Sequence, residues 1–344
     1  MFVLNKVLKQ TKKQLIMNSY RFISIVMIIT VFAFNSCTSH DSKPNDNQSS
    51  NKSQISIKTE SVDPIFPLPD IPTMLTNPQE KMDYLTKHYW DLFHFDDTTY
   101  ISQPDITEQA FVDYIQLLSK INYSNAESSI EIMMNKAKVN ADMYNYIVSL
   151  FEKYLYYPNS PFRNDELYIP VLSNVINSEV LSNANQEIYA FQQGMILKNR
   201  IGTIATDFIY TLANGDNKNM HDLNSDYLIL LFSNPNCSSC ATLTHELVNS
   251  NTLKSIFALN SDTKNMLTVL SVYPDSNIQE WREALPNMPK KNWINSYDND
   301  SQVTNKRLYD IKAIPTLYLL DRDKKVILKD TSLEEIENYF MKVR

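Results

Sequence analysis

The sequence predicts a multidomain chain: an all-α region followed by an α/β region built on a mixed central sheet. Three observations predict it. Between positions 78 and 199 apolar residues recur at spacings of three and four, the period of a helix, and no alternating β-branched run interrupts them. From about Gly202 onward, short apolar runs of buried-strand length alternate with helical stretches, and strands separated by helices run parallel because a parallel connection needs a crossover. Finally, "TLYLLD" and "KVILKD" flank the turn-like "RDK", which adds antiparallel neighbours to the same sheet. With 344 residues, 43% of them hydrophobic, the chain is long enough to give both regions a core. A net charge of -7 supplies no basic surface for phosphate backbones, so nucleic acid is excluded as a partner. Three cysteines cannot make a disulfide framework, and at most one bridge can form within the chain.

Residues 1–37 are expected to lie outside the fold. Lys6, Lys9, Lys12, Lys13 and Arg21 form a positive leader, and "FISIVMIITVFAF" from Phe22 to Phe34 is an uncharged apolar run of signal-peptide length. That run is shorter than the roughly 20 residues a membrane-spanning helix needs. Ser36 and Cys37 follow, and then "TSHDSKPNDNQSSNKSQ", a polar tract that cannot bury itself and marks residues 38–63 as a disordered linker. The arrangement resembles a bacterial lipoprotein signal. That resemblance implies that Cys37 becomes the lipidated first residue, that acyl chains hold the protein on a membrane, and that the folded part lies in the cell envelope, facing the periplasm or on the cell surface. Phe34 and Asn35 depart from the pattern, standing where the family prefers a smaller aliphatic residue and then a small one. The other reading of the segment is an uncleaved signal anchor with an unmodified thiol.

The folded elements follow in order. "DPIFPLPDIPTML" carries prolines that fix φ and remove backbone donors, so it is extended or turn-like. Asn77 and Pro78 then supply a cap and a first helical residue for "NPQEKMDYLTKHYWDLF", whose Met82, Leu85, Tyr89 and Phe93 share one face. "DITEQAFVDYIQLLS", capped by Asp105 or Thr107, is a second helix; "AESSIEIMMNKA", "ADMYNYIVSLFEKYLY", "ELYIPVLSNVI" and "NQEIYAFQQGMILK" complete a helical domain over 64–200. Its aromatics, Tyr89, Trp90, Phe93 and Phe95 among them, stand at helical spacing and read as core. In the domain over 201–344, "TDFIYTLANGDN" is a strand entering an Asn214–Gly215 turn, and "DYLILLFS" and "MLTVLSVYP" are buried strands. Helices are predicted for "CSSCATLTHELVNS", "SNIQEWREALP" and "VTNKRLYDI", and "SLEEIENYFMKV" closes the chain with Ser332 and Glu335 as a capping box.

The chemistry concentrates in "NPNCSSC". A cysteine at a helix start has its sulfur beside unpaired N–H groups and the positive end of the helix dipole, which favours the thiolate. Cys237 is placed that way, and Cys240, nearly one turn on, can approach the same sulfur from within the helix. The spacing permits a two-step exchange in which Cys237 attacks a disulfide and Cys240 then displaces the product. Two other readings compete. Half a zinc site would need a second ligand pair, and neither another CxxC nor a close pair among His40, His88, His94, His221 and His245 supplies one, so no metal is expected. A structural disulfide in an inert domain remains open.

"AIPTLYLLD" adds Pro315 just before a strand, where proline can hold a cis bond. Strand, CxxC at a helix start and a later Ile-Pro-Thr opening a strand together resemble the thioredoxin superfamily, nearest its exported thiol-disulfide oxidoreductase branch, over about residues 202–344. The resemblance implies a thioredoxin-like domain in which Ile314 and Pro315 lie against the CxxC and offer backbone hydrogen bonds to substrate. It also implies exported disulfide-bearing proteins as clients, a membrane thiol reductase as electron donor, and no cofactor. Some positions depart from the family: Asn236 replaces the usual tryptophan, Ser238-Ser239 replaces Gly-Pro, and Leu231 stands where a buried acid assists proton transfer. Glu246 does not match the carboxylate site of the exported branch, and a reductant or isomerase is expected rather than a strong oxidant. "FPLPDIPTML" with "YLTKHYWDLFHFDDT" resembles a helical domain of unknown function that precedes thioredoxin-like domains in exported proteins of certain Gram-negative bacteria, over about residues 64–200. The alternative function is a binding or scaffold lipoprotein whose thioredoxin-like domain is idle.

Overall fold

The computed structural model describes residues 66–343; the leader, Cys37 and the linker lie outside the described residues. Among the described residues six helices come first: α1 (Pro78–His88), α2 (Pro104–Leu118), α3 (Tyr123–Ala137), α4 (Ala141–Phe151), α5 (Asp165–Ile176) and α6 (Asn183–Ile196). Asn77 caps α1 by accepting from the Gln79 N–H at 2.8 Å. The second helix starts earlier than its sequence suggests. Pro104, with φ preset, takes the first helical position after Gln103, which leaves Asp105 in the first turn. Thr107 is buried, its hydroxyl donating to the Tyr100 carbonyl at 2.9 Å. Beyond Phe151 the chain widens into a π-turn, Glu152–Tyr156, before leaving the helix. Tyr89, Trp90, Phe93 and Phe95 are buried in one continuous core with Phe111, Tyr114, Ile147 and Phe151. Where α1, α2 and α3 meet, the Tyr114 hydroxyl meets Ser129 Oγ at 2.7 Å, and that oxygen donates to the Thr86 carbonyl at 2.8 Å, so this buried polar group is satisfied.

The second region is a seven-stranded sheet in the order β2-β1-β5-β4-β3-β6-β7. Its strands are β1 (Ile209–Leu212), β2 (Asn217–Asn219), β3 (Tyr227–Phe232), β4 (Leu267–Tyr273), β5 (Trp293–Tyr297), β6 (Thr316–Asp321) and β7 (Val326–Lys329). The intervening helices are α7 (Ser238–Asn249), α8 (Asn251–Phe257), α9 (Ile278–Ala284) and α10 (Gln302–Asn305), and α11 (Leu333–Lys342) closes the chain. Strand β3 lies inside the sheet, parallel to the central strand β4 and antiparallel to β6; β4 is parallel to β5, and the β1–β2 hairpin and β7 extend the sheet with antiparallel pairs. The predicted mixed sheet is therefore present. In the β1–β2 turn Gly215 takes the positive φ.

Sheet faces follow the period of two. Leu228, Leu230 and Phe232 of β3 point into one core with Leu270, Val272, Tyr309 and Tyr318, while Ile229 and Leu231 point into another with Leu247, Leu253, Ile336 and Phe340. Four elements differ from the sequence reading, the polar edge strand β2 beyond the Gly215 turn being the first. Strand β5 carries Asn295 and Ser296 mid-strand, which hides its apolar character, although Ser296 is buried and donates to the Ser271 carbonyl at 2.9 Å. Helix α8 is a short addition after α7, capped by Ser250. The helix expected over "VTNKRLYDI" stops after α10, because Arg307 adopts a left-handed φ of 50° and the chain turns so that Tyr309 can donate to the Thr206 carbonyl at 2.6 Å.

The connection between the two regions is pinned. Asn199, also left-handed, donates to the Leu308 carbonyl at 2.9 Å and accepts from the Thr206 N–H at 2.7 Å. The chain then runs along the β7 edge, with backbone bonds from Gly202 to Val326, Ala205 to Lys324 and Val326 to Thr203, each 2.8 Å. Because β3 is buried on both faces, Leu230→Ala is expected to lower stability by about 2–5 kcal/mol in urea unfolding followed by circular dichroism. Leu92→Ala, at an exposed position, is expected to change it by no more than about 0.5 kcal/mol.

Candidate dithiol site

Strand β3 delivers the site. Past Phe232 the Ser233 N–H still bonds to β4, at 3.1 Å to the Val272 carbonyl, and then "NPNC" makes a turn closed by the Cys237 N–H on the Asn234 carbonyl at 3.1 Å. Pro235 suits the second turn position, where φ must lie near its fixed value. Asn234 Oδ1 accepts the Asn236 N–H at 2.8 Å, which tightens the turn further. The chain leaves it as α7, with Cys237 at the N-cap in an extended conformation and its side chain accepting from the Cys240 N–H.

In this structure both thiols are free. Cys237 is partly exposed, whereas Cys240 is 3% exposed. Around the Cys237 sulfur stand the Cys240 N–H at 3.2 Å, the Ser239 hydroxyl at 3.1 Å and the Ile314 carbonyl at 3.7 Å. Burial opposes ionisation of Cys237, but hydrogen bonds from Cys240 and Ser239 outweigh it and hold its pKa below that of an ordinary thiol. Cys240 shifts the other way. Burial, reinforced by the neighbouring Cys237 sulfur, pushes it up to about 12. One sulfur is thus prepared as a nucleophile while the other keeps its proton.

The third predicted part meets the other two. Phe232 at the end of β3 is in register with Thr316 at the start of β6, so the loop before β6 comes to the same end of the sheet as the CxxC. The Ile314–Pro315 bond in that loop is cis, and Thr316 Oγ1 donates to the Ala313 carbonyl at 2.5 Å. The structure therefore brings Cys237, Cys240 and the Ile314 carbonyl together, with Pro315 next in the chain. Leu231 is packed among apolar side chains and supplies no acid, and Glu246 is exposed on α7. Among the described residues neither thiol is hydrogen-bonded to a carboxylate, and no group of three or more His, Cys, Asp or Glu converges as a metal would require.

Two acidic residues beside the site have no signal in the sequence, because only the fold brings their segment near. Glu280 on α9 accepts from the Asn236 amide, the Asn277 amide at 3.2 Å and the Tyr273 hydroxyl at 3.4 Å. Asp275 accepts from the Asn234 amide at 2.6 Å. The two asparagines that flank Pro235 are thereby held from the β4–α9 connection, and the tryptophan position is filled by a side chain that is itself anchored. A pH titration of iodoacetamide alkylation is expected to give a Cys237 midpoint below that of the same chain unfolded in urea. Cys240 is expected to stay unmodified through pH 8, and Cys237→Ser to remove the fast phase.

Residues 36–199 match the family described as a domain of unknown function, DUF5106. Residues 224–326 match the family described as thioredoxin-like. A comparison with curated proteins gives no match. Among solved structures the chain is similar to a thioredoxin-like protein from Bacteroides caccae, with 41% identity and a TM-score of 0.77 over 81% of this chain and 99% of that one. It also resembles the C-terminal domain of an uncharacterized protein from Bacteroides fragilis, with 39% identity and a TM-score of 0.39 over 42% of this chain and 98% of that one. A third likeness is to the thioredoxin domain of a thiol-disulfide oxidoreductase from Bacteroides vulgatus, with 20% identity and a TM-score of 0.35 over 42% of this chain and 97% of that one. On the first of these relatives and on the sheet that carries the CxxC, the chain belongs to the thioredoxin-like family, with a helical DUF5106 region preceding its thioredoxin-like domain.

Proposed function

We propose that the protein is an exported, lipid-anchored thiol-disulfide oxidoreductase, a reductase or isomerase acting on disulfides of envelope proteins. One observation carries the reading: Cys237 Sγ sits at the N-terminus of α7, accepts the Cys240 N–H at 3.2 Å, and faces the Ile314 carbonyl at 3.7 Å. A thiolate there is stabilised before any client arrives, and a peptide-binding backbone group stands next to it. Export and anchoring rest on the positive leader, the apolar run and Cys37. Among the described residues no helix is long and apolar enough to cross a membrane.

The exchange balances without a cofactor. The Cys237 thiolate attacks one sulfur of a client disulfide; a Cys237–client bond forms, the client S–S bond breaks, and the released client thiolate takes a proton from water. Cys240 then attacks Cys237, its proton passes to the departing client sulfur, and the Cys237–Cys240 disulfide forms. Two electrons have moved from the pair to the client. A membrane thiol reductase returns the pair to the dithiol, and Ile314 and Pro315 present backbone to the client strand during attack. For an isomerase the first step is reversed by a second client thiolate. The Cys240 proton has an available route in the leaving sulfur, so the absence of an acid at Leu231 slows resolution rather than forbidding it.

The full chain in detergent is expected to reduce insulin with dithiothreitol as donor faster than the donor alone. Cys237→Ser is expected to fall to the donor rate, and Cys240→Ser to accumulate mixed disulfides visible on non-reducing gels. If the native chain does not exceed the donor rate, or the two variants behave alike, the redox reading fails and an idle scaffold takes its place.

A further inference from the structure

The loop that ends in Pro315 is held from outside its own domain. Lys312, two residues before Ile314, has a buried side chain whose ammonium lies 2.7 Å from Asp165 Oδ1 and 3.0 Å from Asp310 Oδ2, and 4.4 Å from the centre of the Tyr156 ring. Asp165 is the first residue of α5, and Tyr156 is the last residue of the π-turn after α4, so both belong to the helical region. The neighbouring strand end repeats the pattern. Lys329, at the end of β7 and in register with Tyr318, lies 3.0 Å from Asp165 Oδ2 and donates to the Ile196 and Lys198 carbonyls at 2.6 and 3.1 Å, where α6 ends. Asp330 pairs with Arg163 at 2.8 Å. Asp310 Oδ2 and Asp165 Oδ2 meet their ammonium partners off the hydrogen-bond direction, so those two contacts are ionic. Asp165 thus faces Lys312 and Lys329 across the junction and Arg163 faces Asp330, while Asp310 flanks Lys312 from its own side, so three carboxylates meet three cations.

This junction lies at the same end of the sheet as the dithiol, since Thr316 is in register with Phe232. A buried ammonium paired on one side with a helix N-terminal carboxylate cannot move without stranding a charge, so the loop that carries it is fixed with it. We propose that the helical region is a positioning element for the dithiol, and that Asp165, acting through Lys312, sets the place of the Ile314 carbonyl against Cys237. The inference rests on the redox reading above and adds a role for the helical half that neither matching family description assigns. Asp165, Lys312 and Arg163 are positioning residues; none touches the sulfurs.

The test uses Asp165→Asn, which keeps the size of the side chain, and Arg163→Gln at the rim of the cluster, each made in the full chain. The first readout is trypsin cleavage after Lys312, followed by mass spectrometry against cleavage after the exposed Lys290. Asp165→Asn is expected to speed the first at least tenfold relative to the second. The second readout is a single turnover of the fully reduced chain with insulin and with the small disulfide 5,5′-dithiobis(2-nitrobenzoate), which has no peptide backbone to align. The rate constant for insulin is expected to fall at least tenfold more than that for the small disulfide. Equal falls for both substrates, or cleavage after Lys312 unchanged, overturn the proposal. If Asp165→Asn does not fold, Arg163→Gln carries the same comparison, with the same changes expected and the same results overturning the proposal. A native chain that fails to reduce insulin defeats the redox reading, and trypsin cleavage alone then decides whether the helical region fixes the loop.

Discussion

A sulfur occupies the place where a helix usually puts an oxygen. Cys237 caps α7 as Ser, Thr, Asn or Asp would, accepting an N–H that has no partner within the helix. A neutral thiol is a weak acceptor and a thiolate a strong one, so the cap is worth more when the proton has left. Helix formation and acidity are therefore one interaction seen from two sides. The same contact holds Cys240 in the first turn of α7, behind Cys237 and out of water, and burial there keeps its proton in place. Everything else in the α/β region serves to hold that cap at the end of a strand that cannot shift, because β3 has paired strands on both sides and an apolar core on each face.

The junction with the helical region obeys a different logic. Asp165 is buried, and burial alone would raise its pKa, but Lys312 and Lys329 outweigh that and hold the carboxyl below its usual range. Asp330 ends on the other side of the balance, raised by burial in spite of Arg163 and Lys312. Clusters of this kind add little net stability compared with apolar packing, yet removing one member typically costs about 3–5 kcal/mol because a charge is left without compensation. They select one arrangement of two bodies over its neighbours. Here the arrangement selected joins the start of α5 and the end of α6 to the ends of β6 and β7.

What the sequence made legible was local. The CxxC after an apolar strand, the Ile-Pro-Thr before another, and the Asn77–Pro78 and Ser332–Glu335 caps each declare themselves within a few residues, and their geometry follows from backbone rules that apply anywhere. The period of three and four was enough to place the six helices. What escaped depends on partners far away in the chain. Strand β5 reads as polar because Ser296 finds its acceptor on β4, twenty-five positions earlier. Arg307 ends a convincing helical pattern through a backbone angle that no side-chain type announces. Glu280 and Asp275 meet the turn before Cys237 only because β3 and β4 are parallel neighbours. The charges of the junction were likewise unreadable in advance: Asp165 and Lys312 each look like ordinary surface residues until the two regions are brought together.

The segment joining the regions has one more effect. By pairing with Val326 of β7 through Gly202 and Thr203, and with Lys324 just before it through Ala205, it occupies backbone groups that a terminal strand would otherwise offer to another chain. At the opposite margin β2 is three residues long and wholly polar, a poor template for lateral growth. A peptide arriving in extended form therefore finds neither border suited to accept it as an added strand. Lateral pairing is thereby discouraged at both margins of the sheet, and the strand tips keep their backbone groups clear of it.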